Sequence, residues 1–131
     1  MSKLVLILSL CFSSFVFANE NTANSLAKEW LNVLDVGEYG KSWEKADAYF
    51  KSQLSKEKWD NALQKLRSPL GKVISRTEKG NKKYTSLPGL KNGEYLVIQF
   101  LTEFQNKKSS VETLTLSKES GNWLPIGYFI Q

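Results

Sequence analysis

At 131 residues and a formal charge of +5, the chain is sized for one domain and not for a multidomain enzyme. It has no histidine, and its single cysteine, Cys11, lies in an N-terminal apolar run, which excludes His- or Cys-based catalysis, most metal sites and an intrachain disulfide framework. Hydrophobic residues at 41% against 24% charged place it among folded domains rather than disordered chains.

Residues 1–18 read as a secretory leader. Lys3 is the positive end, Leu4–Phe17 is free of charge, and Val16-Phe17-Ala18 fits a cleavage site, so the cut is expected after Ala18. The apolar stretch falls short of the roughly 20 residues a spanning helix needs, which argues against a retained membrane anchor. Lipidation at Cys11 is disfavoured by Leu10, because a small residue belongs there. Residues 19–131 are then one exported domain, periplasmic or secreted, that keeps every basic residue except Lys3.

The first half of that domain carries helical spacing. Ala23, Leu26, Ala27, Trp30 and Leu34 follow the i, i+3, i+4, i+7 rule, with Gly37 as the stop. A second helix is expected over about Glu38–Lys51, with Tyr39, Trp43, Ala46 and Phe50 on one stripe. Ser55 caps a third, whose buried face is Trp59, Ala62, Leu63 and Leu66, and Pro69 and Gly71 end it.

From Lys72 the period changes to two. Val73–Glu78 and Lys82–Leu87 read as strands around the turn Lys79-Gly80-Asn81. After a loop marked by Pro88-Gly89 and Asn92-Gly93, the segments Glu94–Phe104, Val111–Lys118 and Trp123–Ile130 form a meander. A five-residue loop Gln105–Ser109 pairs Phe100 with Leu114 and Ile98 with Leu116. The loop Ser120-Gly121-Asn122 pairs Leu116 with Ile126 and Leu114 with Tyr128. One apolar face results: Leu96, Ile98, Phe100, Leu114, Leu116, Leu124, Ile126, Tyr128 and Ile130. Strict alternation leaves Trp123 off that face, and Pro125 marks an edge strand or a bulge. The fold class is α+β, three helices on one face of a curved antiparallel sheet.

Candidate chemistry is sparse. Ser25/Lys28, Ser42/Lys45 and Ser55/Lys58 have Ser-x-x-Lys spacing, but a chain this rich in serine and lysine produces such pairs by chance. Glu103 and Glu112 turn to opposite faces in the expected register, so they form no acid–base dyad. Glu112 is the informative residue. It shares a face with Leu114 and Leu116, where an ionised carboxylate needs a partner, and the chain has only two arginines, Arg67 and Arg76. Arg76 shares its strand face with Ile74 in this reading. The two meanings are an internal ion pair closing the core, or a ligand pocket whose polar end is Glu112, Arg76, Tyr128, Thr102 and Arg67. A small acid–base enzyme would use Glu112, Tyr128 and Asp35, although Asp35 reads more simply as a helix-end residue before Gly37. Lysines gather at turns without an aromatic platform, so nucleic acid is not an expected partner. No cofactor or metal site is expected. The partner is a small ligand or an envelope protein, a purely structural envelope module is the remaining alternative, and the oligomeric state is not legible.

The strings EWLNVLDVGEYGKSW (Glu29–Trp43), SPLGKVISR (Ser68–Arg76), LPGLKNGEYLVIQF (Leu87–Phe100), VETLTL (Val111–Leu116) and GYFI (Gly127–Ile130) resemble the bacterial secreted family known as domain of unknown function 4019. Leu124-Pro125 departs from that pattern. The helix-then-sheet order is similar to the cystatin-like or nuclear-transport-factor-2-like class, which implies a curved sheet around a helix with a pocket between them. The resemblance implies no activity, because fold class does not set function.

Overall fold

The computed structural model describes residues 15–131, with side chains from Thr22 onward; the leader features at Lys3 and Cys11 lie outside the described residues. Among the described residues four α-helices precede a four-stranded antiparallel sheet of order β1-β2-β3-β4, the expected α+β arrangement with one helix more. Among the described residues no helix is long and apolar enough to cross a membrane.

Helix α1 (Phe15–Asp35) ends where Gly37 takes φ 83°, a backbone region that suits a residue without Cβ. The Gly37 amide donates to the Leu34 carbonyl and the Glu38 amide to that of Val33, so the last turn is closed. The single helix expected over Glu38–Lys51 is instead two, α2 (Tyr39–Glu44) and α3 (Ala48–Gln53). The break is at Asp47. Its carboxylate accepts from the Tyr49 amide as the cap of α3, and its own amide donates to the Pro125 carbonyl at 2.8 Å. An edge-strand carbonyl thus takes the N–H that a continuous helix would have used. Helix α4 (Lys56–Arg67) is capped by Ser55 as expected, but it buries Trp59, Leu63 and Arg67, leaving Ala62 and Leu66 outside. The Ser42 hydroxyl accepts from the Trp59 indole, and the Ser42 carbonyl accepts from Trp30. Ser42 is therefore a buried tie between helices and not a nucleophile.

The two strands expected around Lys79-Gly80-Asn81 are one, β1 (Val73–Tyr84), which pairs along its length with β2 (Tyr95–Phe104). Lys79 is absorbed as an extra residue between Glu78↔Phe100 and Gly80↔Gln99, so pairing with a long apolar strand overrides the local turn signal. A second irregularity, between Val73 and Ser75, leaves Ile74 out of the ladder and 59% exposed, so Ile74 does not join Arg76 over the core.

Only Gln105-Asn106 separates β2 from β3 (Lys107–Ser117), and the register moves by two residues from the expected one: Ile98 faces Leu114 and Phe100 faces Glu112. The short turn is held in place by the segment before β1. The Asn106 and Gln105 amides donate to the Leu70 and Lys72 carbonyls. A two-residue slip preserves sidedness, so Glu112 still points to the core.

Strand β4 (Leu124–Ile130) pairs Tyr128 with Leu114 as expected. Leu116 then faces Pro125, with Ile126 as the extra residue, so Pro125 stands both on an edge strand and beside a bulge. The bulge reverses alternation beyond it. Trp123 is buried at 8% exposure, contrary to the sequence reading, while Leu124, Ile126 and Ile130 are half-exposed. The core joins Trp30, Leu31, Leu34, Trp59 and Leu63 to Leu96, Ile98, Phe100, Leu114, Leu116 and Trp123.

Helices cover the β3–β4 side of the sheet. Strand β1 has no buried residue, and a cleft of about 560 Å³ opens between it and α1.

Candidate functional site

Six residues from six elements meet beside this cleft. Asp35 ends α1, Arg67 ends α4, and Arg76, Thr102, Glu112 and Tyr128 come one each from β1 to β4. The five site residues read from the sequence are thus brought together, with Asp35 as a sixth.

Glu112 has no exposed surface. One carboxylate oxygen accepts from Arg76 Nε at 2.7 Å and from the Thr102 hydroxyl at 2.5 Å. The other accepts from Arg76 Nη2 at 3.2 Å and from the Tyr128 hydroxyl at 2.5 Å. Four donors fill the acceptor capacity of a carboxylate. Arg76 also grips Asp35, through Nη1 at 2.8 Å and Nη2 at 2.9 Å. Four of its five N–H groups are therefore committed, and the fifth is on Nη1. Asp35 accepts in addition from Arg67 Nη2 at 2.7 Å, and the Arg67 guanidinium lies 5.0 Å from the centre of the Phe104 ring. Two arginines against two carboxylates leave the group electrically neutral, as burial of this depth requires.

Protonation follows from these contacts. Burial would raise the Asp35 carboxyl, but hydrogen bonds from Arg76 and Arg67, with their charges, outweigh it and hold Asp35 below its ordinary value. Burial, and then the Glu112 charge, push the Tyr128 phenol well above its ordinary value. Burial would weaken Arg76 as a cation, yet Asp35 and Glu112 more than compensate and its pKa rises. Asp35 and Tyr128 consequently keep one protonation state through the neutral range.

The cleft supplies the accessible chemistry. It is lined by Lys28 and Asn32, one turn apart on α1, by Arg76, Thr77 and Glu78 on β1, and by Phe100. Arg76 joins the two regions: its guanidinium is pinned by carboxylates, and the residue lines the cleft. The walls of this cleft do not include Glu112, Thr102, Arg67 or Tyr128. Among the described residues, no three His, Cys, Asp or Glu residues converge as metal ligands.

Sequence reasoning undervalued Asp35 and missed Lys28, Asn32 and Glu78. A signal for Asp35 existed: an acid in the last turn of a helix opposes the helix dipole, so it needs a cation. The cleft had no such signal, because it exists only where α1 leaves β1 uncovered.

A family model described as "Protein of unknown function (DUF4019)" matches residues 26–128, a span that includes all six residues of the network and every residue lining the cleft. No curated protein matches the chain.

Proposed function

The chain belongs to the DUF4019 family, and we propose that this member is an exported, non-enzymatic binding domain whose ligand site is the cleft between α1 and β1. The observation that carries the reading is Arg76: its guanidinium is immobilised by Glu112 and Asp35, and the same residue lines a cleft of about 560 Å³. Arginine fixed in this way is pre-organised, so a ligand loses no side-chain freedom in using it. Glu112 then holds Arg76 directly, while Thr102 and Tyr128 act through Glu112 and Arg67 through Asp35; none of the four lines the cleft.

The non-enzymatic reading is supported by the lack of histidine and by the engagement of Asp35 and Tyr128 in hydrogen bonds within the network. Export is supported by Lys3, the uncharged stretch Leu4–Phe17 and Ala18. Native mass spectrometry of the protein purified from its own cell envelope tests both parts. The expected ion is the polypeptide 19–131 plus a small retained ligand. Asn32→Trp, at an exposed position of α1, fills the cleft and removes that added mass without moving the urea midpoint. An adduct kept in full by Asn32→Trp refutes the cleft as the site. An ion that begins at residue 1 refutes processing.

A further inference from the structure

The charges on the two walls of the α1–β1 cleft point to a ligand class. Lys28 stands on the α1 wall and forms no ion pair among the described residues. Glu78 stands on the β1 wall, and its partner is a neutral amide, Asn81 Nδ2 at 2.6 Å. The two opposite charges line one cavity, yet they are not within the 4 Å of an ion pair. Arg76 adds no net charge, because the two arginines and two carboxylates of the network cancel, but it offers one uncommitted N–H on Nη1. Asn32 adds an amide that can donate and accept. The cleft is therefore neutral overall and polarised across its width.

We propose that the α1–β1 cleft takes a small zwitterion, with the ligand's carboxylate toward Lys28 and Arg76 Nη1 and its ammonium toward Glu78. A purely anionic ligand would meet Glu78, and a purely cationic one would meet Lys28. Only a molecule carrying both charges matches both walls, which is how complementary fields select a partner. The inference rests on the cleft being the binding site.

The test is an NMR titration of the amide resonances of the purified protein with glycine and 4-aminobutyrate, zwitterions of short and long charge separation. Acetate and methylammonium serve as single-charge probes. The expected result is saturable shifts at Lys28, Asn32 and Thr77–Glu78 with at least one zwitterion, in the millimolar range suited to a few exposed charge contacts. Each single-charge probe binds at least about fivefold more weakly. Lys28→Gln and Glu78→Gln each weaken the zwitterion by about fivefold or more, while the urea midpoint stays put. Acetate binding as tightly as the zwitterion, indifferent to Glu78→Gln, overturns the zwitterion and leaves the cleft standing. Saturable shifts only outside the cleft overturn the cleft reading and this inference together. No saturable shift with either zwitterion up to about 50 mM overturns the inference alone, since the adduct test with Asn32→Trp stands separately.

Discussion

Replacing Glu112 by glutamine keeps the shape of the side chain and removes its charge. The consequence follows from its four bonds. The new amide nitrogen cannot accept, so one of the two donor pairs, Arg76 Nε with Thr102 or Arg76 Nη2 with Tyr128, loses its acceptor. Arg67 and Arg76 are then left with Asp35 alone, one buried positive charge in excess. Removing one partner of a buried pair costs about 3–5 kcal/mol, a large part of the roughly 5–15 kcal/mol that holds a domain folded. With a urea slope of about 1–2 kcal/mol/M, the midpoint of Glu112→Gln falls by roughly 1.5–5 M. Arg76→Met combined with Glu112→Leu removes the mismatch and leaves Asp35 paired with Arg67, so the double variant recovers at least half of that loss. Urea unfolding followed by tryptophan fluorescence reads both. A loss below about 1 kcal/mol for Glu112→Gln, or a double variant no more stable than the single, refutes the view that paired charge holds this region together.

The pH dependence has two arms. Asp35 is lowered in the fold, so its contribution is present above its unfolded pKa of about 4 and is lost as pH falls through the folded value; urea midpoints from pH 7 to 2.5 decline on the acid side, and less steeply in Asp35→Asn. Tyr128 is raised, so its contribution is full below about pH 10 and is lost as pH climbs beyond it; subtracting the alkaline absorbance titration of Tyr128→Phe isolates a phenolate signal that appears only with unfolding. Asp47→Ala removes the cap that starts α3 and costs about 1–2 kcal/mol by the same urea assay, whereas a continuous helix through this point would gain from alanine. Trp30→Phe loses a buried hydrogen bond to the Ser42 carbonyl, while the Trp123 indole N–H has no partner among the described residues, so Trp30→Phe is more destabilising than Trp123→Phe by about 1 kcal/mol in thermal melts.

Sidedness was the legible part of this fold. Leu96, Ile98, Phe100, Leu114 and Leu116 alternate without interruption, and a register error of two residues leaves every one of them on the core face. Glu112 was legible on the same ground, because a carboxylate in that row must be paired and the sequence has only two arginines. What local pattern could not show was the set of places where the chain adds one residue to a ladder. The extra residues at Ile74, Lys79 and Ile126 turned one side chain out, merged two strands and brought Trp123 inside. The split at Asp47 depends on a carbonyl of β4, distant in sequence. The cleft is likewise a product of tertiary arrangement, since Lys28 and Glu78 look like ordinary surface charges until α1 is set opposite β1.

The most direct test is an experimental structure of the protein purified from its own envelope. The account predicts retained density in the α1–β1 cleft against Lys28 and Arg76 Nη1, with Glu112 still holding Arg76, Thr102 and Tyr128. Ligand density bonded to Glu112 itself, in place of Arg76 or Tyr128, would contradict it.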